Sequence, residues 1–167
     1  MKKINFVNNQ APAINAANLN QLQTNVENAI THEHCFATIS SSQTIDFDTL
    51  YQNKLMNFDT LVSKQGNFTL ENGQIKIGAG ISKVKVTYVV NVSNVTTDSY
   101  FTIQSSLSLL FCKITPYTTY TATYIKEVFE GDTIYVGFGM QQGTTNSIKF
   151  FKSGNYIANT LLVEKIA

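Results

Sequence analysis

Two spacings of apolar residues divide the chain into a short N-terminal part and a long remainder. Between Ile14 and Ile30, apolar positions recur at intervals of three, four and three residues, which predicts a helix with one apolar seam. The seam consists of Leu19, Leu22, Val26 and Ala29. From Phe36 onward, short alternating runs are separated by turn residues roughly every 8–12 positions, which is typical of an antiparallel sandwich or barrel. The pattern therefore predicts a mostly β protein that begins with one helix.

The predicted helix is too short to be stable alone. Asn15 is a favourable N-cap residue, and Ile14 before it can pack against Leu19. Only two heptads follow, and isolated helices shorter than about 12–15 residues are marginal in water. Because the rest of the chain is predicted as strand, the available partners are copies of the same helix. We therefore predict a symmetric oligomer in which Leu19, Leu22 and Val26 lie at the interface between subunits.

Several strands of the β part can be bounded from the sequence. Lys83–Val92 is the clearest strand, because every second residue from Val84 to Val92 is apolar while Lys83, Lys85, Thr87 and Asn91 fall on the other face. The dipeptide Asn72-Gly73 between two short apolar runs is a strong signal for a two-residue hairpin. Tyr100–Ile114 predicts one long strand, bulged at its two consecutive serines. In all, about eight to ten strands are predicted, arranged as an antiparallel double sheet.

A further strand is predicted over Thr133–Met140, and its glycines predict a close contact. Tyr135, Gly137 and Gly139 share one face of this strand. Glycine weakens a sheet unless another backbone or another chain approaches closely. We therefore predict that Tyr135 and Gly137 lie at or near the interface between subunits.

Composition and charge exclude some functions. The 167 residues suit one domain with an appendage, and an apolar content of 43% is enough for a core. Charged residues make up 14% and the net charge is +1, which argues against a nucleic-acid binder that relies on phosphate contacts. The N-terminus lacks the apolar region of a signal peptide, and no apolar run reaches the ~18–20 residues that span a membrane. We expect synthesis in a cytoplasm, no membrane insertion and reduced cysteines.

The residues needed for catalysis are sparse. His32 and His34 are the only histidines and lie in the junction between helix and strands, so a Ser-His-Asp or Cys-His triad is not predicted. A glycosidase needs two convergent carboxylates, but the nearest acidic pairs are interpreted as solvated or turn-forming residues. They are Asp46 with Asp48 and Glu130 with Asp132. We do not expect an enzyme, and we expect Asp132 to stabilise a turn.

The segment Phe129–Val136, read FEGDTIYV, resembles the "L-x-x-G-D-x-V-x-V" signature of tumour-necrosis-factor-like (TNF-like) and complement-head-like jelly rolls. Gly78–Val92 resembles the "G-x-Y-x-V-x-x-x-V" strand of the same families, except that Ile81 replaces the usual aromatic residue. Asn159–Ile166 is similar to their last strand. The resemblance implies an antiparallel jelly-roll β-sandwich that forms a homotrimer around a three-fold axis. Residues 1–34 are then an arm and a trimeric coiled-coil helix, and 35–167 the jelly-roll head.

The segment Ala11–Asn20, read APAINAANLN, resembles the start of bacteriophage baseplate, tail-fibre and head-fibre proteins. In those proteins it attaches the fibre to the particle or starts trimerisation. The usual acidic residue after Leu-Asn is replaced here, since Gln21 and Gln23 stand in that region. The resemblance implies a virion location and an arm that docks on other virion proteins through its own set of contacts.

Together the two resemblances imply a trimeric phage or prophage fibre protein whose head binds a receptor, a saccharide or a protein, on the host cell surface. The main alternative is a structural virion protein, a decoration or spacer without a receptor. A cell-encoded complement-like or cytokine-like ligand is disfavoured because no signal peptide is recognised. An enzyme that acts on surface glycans is the fourth possibility.

The junction His32-Glu33-His34 is a candidate metal site on the predicted axis. His-x-His in an extended chain directs both imidazoles to one side, and three chains supply six nitrogens. Six nitrogens suit an octahedral transition-metal ion such as iron or nickel better than tetrahedral zinc. Phage fibres and spikes, which the chain resembles, use His-x-His in this way. The alternative is a solvated linker that holds two histidines.

Receptor contacts are expected at the end of the head away from the helix. If every strand reverses the chain and the last strand ends at the base, alternate loops lie at the top: Lys152–Ala158, Glu127–Asp132 and Asn94–Ser99. Gln141–Ser147 and Thr115–Thr118 then lie at the base. Two top loops carry tyrosine beside amide or acid groups, which suits stacking on a sugar and hydrogen bonding to its hydroxyls. The candidate receptor-binding residues are Asp98, Tyr100, Asn155 and Tyr156.

Overall fold

The computed structural model of the protein describes residues 19–24, 26, 32–47, 53–95, 100–105, 108–112, 114, 117–142, 146–152 and 159–167. The chain divides into two compact units, Met1–His32 and Glu33–Ala167, and the second is called the β unit below. Among the described residues, no helix is long and apolar enough to cross a membrane.

In the first unit, residues 19–24 and 26 are helical, within the range that the seam predicts. Thr24 donates from its hydroxyl to the Asn20 carbonyl oxygen at 3.0 Å, one turn back. In a single chain Leu22 is 58% exposed and Val26 46% exposed. Leu19 is half-buried. The contact between helices of different subunits stays a prediction. It requires exposed apolar side chains on the helix, and Leu22 and Val26 are such side chains. The predicted cap at Asn15 lies outside the described residues.

The described part of the β unit contains fourteen strands. They are β1 His34–Thr38, β2 Gln43–Phe47, β3 Asn53–Leu55, β4 Thr60–Gln65, β5 Phe68–Glu71, β6 Gln74–Ile77, β7 Lys83–Val95, β8 Tyr100–Ser105, β9 Ser108–Cys112, β10 Thr118–Glu127, β11 Thr133–Ile134, β12 Val136–Gln142, β13 Asn146–Phe150 and β14 Thr160–Lys165.

The main sheet is organised around β7, whose alternating sequence buries every second residue. One edge of β7 pairs antiparallel with β10, from Lys83 to Val92. Its other edge pairs with β14 and then with β13. β14 continues to β1 and β4, and β13 continues to β2. The predicted strand Lys83–Val92 is thus confirmed and extends to Val95.

Two smaller sheets, in the orders β3-β12-β8-β9 and β11-β6-β5, complete an antiparallel sandwich over one core. Side chains from all three sheets form the core, and they come from the inward-facing positions of the strands. Its largest fully buried side chains are Tyr88, Phe47, Phe58, Phe68, Phe138, Phe150, Ile39, Met56, Ile75 and Ile77. The predicted Asn72-Gly73 hairpin joins β5 to β6, and both residues have positive φ, 50° and 74°, as a type I′ turn requires.

The fourteen described strands exceed the eight to ten predicted, in part because two predicted strands each divide into two. Tyr100–Ile114 is a hairpin, since β8 pairs antiparallel with β9 and Ser105 lies opposite Ser108. This stretch contains no Gly, Pro, Asn or Asp, and its consecutive serines, which are weaker turn residues, were interpreted as a bulge. Thr133–Met140 breaks at Tyr135 because β11 pairs with β6 whereas β12 pairs with β3 and β8.

The strand directions also correct the predicted loop positions. β13 and β14 both pair antiparallel with the same edge of β7, so they run in the same direction, one after the other. The assumption that every strand reverses the chain fails at this point. The antiparallel pairing of the last strand with the first is as predicted, because β14 pairs with β1.

We call the end of the sheet where β7 finishes the distal end, and the end that holds Glu33 and Ala167 the proximal end. Ser82 and Lys83 donate their backbone N–H groups to the Ala167 oxygen at 2.8 and 3.0 Å. Lys165 donates its N–H to the Glu33 carbonyl at 2.8 Å. The chain thus enters the β unit and finishes at the proximal end.

The strand termini that meet at the distal end belong to β2, β7, β8, β12 and β13, since Ile148 pairs with Val95 and Tyr100 with Gln142. Gln141–Ser147 therefore starts and finishes at the distal end, not at the base. Thr118 pairs with Val92, so the start of β10 lies towards the distal end as well.

The other predicted loop positions change with them. Glu127 pairs with Lys83, which places the Glu127–Asp132 turn at the proximal end. The connection 152–158 joins two strands along one edge of β7. The strand ends that flank 96–99 are distal, as predicted. The unpredicted β8–β9 hairpin and the unpredicted parallel course of β13 and β14 each reverse the predicted end, so the two errors compensate.

Candidate functional site

A cleft of about 280 Å³ opens towards the distal end of the main sheet. We call it the distal cleft. Its walls come from β7, from the start of β10 and from the residue after β13. The lining residues are Asn91, Val92, Ser93, Tyr117, Thr118, Thr119 and Phe151. The cleft therefore forms where three separate segments of the chain meet.

The sheet alternation decides which β7 side chains reach the cleft. Val90 and Val92 are fully buried, so Asn91 and Ser93 point to the opposite, outer side of the sheet. Thr119 lies opposite Asn91 in the pairing of β10 with β7, and its hydroxyl donates to the Asn91 side-chain oxygen. Ser93 donates from its hydroxyl to the Lys149 carbonyl at 3.0 Å. The polar floor of the cleft is thus fixed by cross-strand hydrogen bonds.

Two exposed aromatic residues border the cleft. Tyr117 is 89% exposed, and Phe151 is 50% exposed. Tyr117 has a φ of 56°, a left-handed conformation that is uncommon for a residue with a β-carbon. Strained backbone of this kind persists only where the surroundings hold it, and it is concentrated at functional sites. Both rings therefore offer apolar surface to a ligand.

Asn159 fixes the geometry beneath the cleft. It is fully buried, its side-chain oxygen accepts from the Asn91 N–H at 2.7 Å, and its amide donates to the Phe151 carbonyl at 2.8 Å. The Thr38 hydroxyl donates to the Asn159 backbone oxygen at 2.6 Å. Asn159 thus joins β7, the end of β13 and β1 at the point where β13 gives way to β14.

A second surface covers the outer side of β1, β14, β7 and β10. We call it the outer face; it comprises Phe36, Leu162, Thr87, Thr123, Thr160, Val89 and Thr121. Phe36, Leu162, Thr87 and Thr123 lie side by side in one cross-strand row, and the Thr87 and Thr123 hydroxyl oxygens are 3.1 Å apart. The outer face is uncharged and ends proximally at an ion pair between Lys85 and Glu164, 2.9 Å long. It is broad, flat and composed of apolar and hydroxyl groups.

The buried Cys35 and the exposed Asp59 have shifted pKa values. Burial raises the pKa of the Cys35 thiol to about 11, with a small opposing effect of Lys64, so the thiol stays protonated at neutral pH. Partial desolvation raises the pKa of Asp59, but hydrogen bonds from Ser40 and Thr60 together outweigh it and hold the pKa below its usual value. Cys35 is thus a core residue, and Asp59 fixes the chain after β1.

The predicted receptor-binding residues are only partly within the described structure. Asp98, Asn155 and Tyr156 lie outside the described residues. Tyr100 opens β8, opposite Gln142, at the distal end. The two aromatic residues of the distal cleft were missed. Tyr117 belongs to the turn that the sequence places at the base, and the Pro116-Tyr117 pair was the available signal for it.

The structure gives a different reason for the glycine at position 137. Gly137 is buried, and a β-carbon there would lie 2.9 Å from Leu55 Cδ2 and 3.2 Å from the Lys54 carbonyl oxygen. A close approach of the kind that the sequence predicts is therefore made by β3 of the same chain, and a role of Gly137 at the subunit interface stays a prediction. Tyr135 lies half-buried at the break between β11 and β12, and its interface role stays a prediction.

His34 opens β1, and its Nε2 lies 3.0 Å from the Ser63 hydroxyl oxygen. His32 is exposed and belongs to the first unit. Within the described parts of a single chain, no group of three or more His, Cys, Asp or Glu residues could hold a metal ion. The predicted site needs histidines from three chains, so it stays a prediction.

Asp132 has the turn-forming role that the sequence predicts. Its carboxylate accepts from the Phe129 N–H at 3.1 Å, and its own N–H donates to the Phe129 carbonyl at 3.1 Å. The Asp132 carbonyl accepts from the Ile77 N–H at 2.8 Å, which holds the turn against β6. The Asp132 of the F-E-G-D motif is thus accounted for by its hydrogen bonds within the turn.

No protein-family model matches the chain. No curated protein matches it either. Solved structures do match the β-strand architecture. The crystal structure of murine APRIL at pH 8.0 aligns with 81% of this chain and 100% of its own, at 12% identity and a TM-score of 0.54. PRD1 vertex protein P5 aligns with 81% of this chain and 96% of its own, at 15% identity and a TM-score of 0.50.

The fold is a TNF-like jelly roll. The predicted fold class, a mostly β chain with a short helix before an antiparallel jelly-roll sandwich, is therefore confirmed. A third structure, the globular domain of zebrafish complement 1qA protein, matches more weakly, with a TM-score of 0.45 and 8% identity. Sequence identities this low support a shared fold and do not indicate the function of this chain.

Proposed function

We propose that the protein is a homotrimeric phage or prophage virion protein whose jelly-roll head binds a receptor on the host cell surface. The distal cleft carries this proposal, because it places two exposed aromatic rings beside hydroxyl and amide groups at the end of the head opposite the chain entry at Glu33. The N-terminal resemblance to phage fibres supports a virion location, and so does the fold that the head shares with a vertex protein. The chain is made in the bacterial cytoplasm and attaches to other virion proteins through its N-terminal arm.

The outer face supports the trimer. Its central rows are uncharged, and Ile125 at the margin of the sheet is 57% exposed, although a large apolar side chain gains about 1.5–3 kcal/mol from burial. A closed ring of three subunits covers such a face on every copy. The exposed Leu22 and Val26 of the helix gain cover in the same assembly.

A charge on the outer face should dissociate the trimer. Thr123→Lys places an ammonium group in the middle of the face, and burying three unpaired like charges near one axis costs several kcal/mol. Light scattering should give about three times 18.5 kDa for the unaltered protein and about 18.5 kDa for the variant.

Thr69→Lys is the matched control, because Thr69 is likewise an exposed strand threonine but lies on β5, outside this face. It should stay trimeric. A monomeric wild-type protein at micromolar concentration, or equal masses for the two lysine variants, would contradict the proposed assembly.

Deleting the gene from the phage or prophage that carries it tests the receptor role. If the head binds the receptor, particles that lack the protein should assemble with normal yield but lose adsorption to host cells, and added purified protein should compete with intact particles for adsorption. Normal adsorption together with fewer or less stable particles would instead identify a structural decoration or spacer and reject the receptor role.

A further inference from the structure

We propose that the distal cleft binds a single neutral sugar ring, stacked on Tyr117 and Phe151 and hydrogen-bonded to the floor of the cleft. This inference rests on the proposed receptor role of the head and assigns its ligand class and its site. The seven described lining residues do not include Tyr100, and the other predicted receptor-binding residues, Asp98, Asn155 and Tyr156, lie outside the described structure. Tyr117 directly precedes β10, and Phe151 directly follows β13.

The two rings supply the apolar part of the recognition. A pyranose ring has faces made of C–H groups, and aromatic side chains offer a flat apolar surface of matching size. Tyr117 and Phe151 line the same cleft, and each leaves half or more of its surface in water. The Phe151 side chain has no polar group that would favour exposure to water, so a ligand that covers its ring is stabilised by removal of that apolar surface from water.

The hydroxyl groups of the cleft are oriented as acceptors. Ser93 gives its proton to the Lys149 carbonyl, and Thr119 gives its proton to the Asn91 side-chain oxygen. Each hydroxyl oxygen then presents lone pairs, because a hydroxyl has one donor and two acceptor positions. Sugar hydroxyl groups, which can donate, complement these oxygens. The polar floor therefore favours a polyhydroxyl ligand over one that offers acceptors only.

The charge and the size of the cleft narrow the ligand class. The seven described lining residues are uncharged, so none of them supplies an ammonium group to pair with a carboxylate or phosphate. Acidic sugars would lose hydration there without gaining an ion pair. The volume of about 280 Å³ lies just below the roughly 300 Å³ at which drug-sized sites begin. One sugar ring fits this volume better than a long oligosaccharide buried in full.

The cleft is pre-organised by its backbone. Asn159 holds Asn91 and Phe151 at once, and the Phe151 N–H donates to the Asn91 carbonyl at 3.3 Å. The relative position of the Phe151 ring and the β7 floor is thereby set before a ligand arrives. Pre-organisation lowers the entropic cost of binding, which matters most for a ligand with few contacts.

Saturation-transfer NMR and calorimetry on the full-length protein test the inference. The probes are galactose, glucose, mannose and N-acetylglucosamine as neutral sugars, with glucuronate and N-acetylneuraminate as acidic ones. We expect at least one neutral sugar to bind with millimolar affinity, and the acidic sugars to bind at least tenfold more weakly. Phe151→Ala should weaken binding about tenfold, the scale of one aromatic contact with its buried area.

Tyr117→Gly separates loss of binding from loss of folding. Glycine adopts a φ of 56° without strain, so this variant should keep or raise thermal stability while it weakens binding about tenfold. Phe129→Ala is the control for removal of an exposed ring, because Phe129 is 77% exposed at the proximal end, and it should bind as the wild type does.

Three results would overturn the inference: no saturation by any neutral sugar at 50 millimolar or so, unchanged binding by both cleft variants, or dissociation of the oligomer by Tyr117→Gly, which would assign the rings to a second copy. A cleft that binds a neutral sugar while gene deletion leaves adsorption intact would keep this site and reject the proposed receptor role. Loss of adsorption on deletion, with no sugar bound, would do the reverse.

Discussion

Replacing Asn159 with alanine should lower the free energy of unfolding by about 2–5 kcal/mol. The side chain is fully buried and makes two hydrogen bonds to backbone groups, the Asn91 N–H and the Phe151 carbonyl. Alanine leaves both groups without this partner, and each unsatisfied buried polar group costs about 1–3 kcal/mol. The bond from Thr38 reaches the backbone oxygen of residue 159 and survives the substitution. Urea unfolding at fixed protomer concentration measures the change.

Asn94→Ala is the matched control, because Asn94 is exposed on the same β7 strand. Its effect should stay within about 0.5 kcal/mol. Asn159→Asp adds a second comparison: the carboxylate can still accept from the Asn91 N–H but cannot donate to the Phe151 carbonyl while ionised. It should be no more stable than Asn159→Ala at neutral pH. An alanine variant as stable as the wild type would show that Asn159 does not hold the junction between β13 and β14.

The sequence pattern predicted correctly those elements that are specified by residues close together in the chain. β7 was found because its valines alternate with polar residues, and the β5–β6 hairpin because Asn72-Gly73 suits two positive φ values. The hairpin at Ser105 was not found, since its turn has serine but no Gly, Pro, Asn or Asp, and serine marks a turn more weakly than those residues do. A turn that is stabilised mainly by the pairing of its flanking strands is difficult to recognise from its residue types.

The junction of β13 and β14 shows why the loop positions failed. Both strands pair with β7, and Asn159 between them, one asparagine among many in this chain, is hydrogen-bonded to residues far away in sequence. Nothing in the local pattern separates an asparagine that joins two aligned strands from one that forms a turn. The position of Gly137 has the same character, because the strand that requires its small size is β3, over eighty residues earlier.

The distal cleft is likewise a product of long-range pairing. Tyr117 and Phe151 are 34 positions apart in the sequence, and they line one cleft only because β10 and β13 both pair with β7 near Val92. The sequence predicted an aromatic receptor site at the distal end but placed the Thr115–Thr118 turn at the other end. The residue types of a candidate site, aromatic rings beside amide and hydroxyl groups, were thus predictable from sequence, whereas the residues that line the distal cleft could be named only once the strand directions were known.

Truncation of the Phe138 ring should destabilise the jelly roll by about 3–5 kcal/mol. Phe138 and Phe150 are fully buried, and their ring centroids lie 4.8 Å apart with an interplanar angle of 40°. Phe138 belongs to β12 of a smaller sheet and Phe150 to β13 of the main sheet, so the pair connects the two layers. Phe138→Ala and Phe150→Ala each remove buried area and leave a cavity. Urea unfolding gives both values.

The double variant determines how much of this effect belongs to the ring contact itself. A tilted aromatic pair contributes about 0.5–1.5 kcal/mol beyond buried area, so the double variant should be less destabilised than the sum of the single variants by about that amount. Phe129→Ala, which removes a 77% exposed ring, should change stability by less than about 0.5 kcal/mol. Strict additivity of the core variants would contradict a direct coupling, and the layers would then be held together by the surrounding aliphatic side chains, because those contacts persist when either ring is removed.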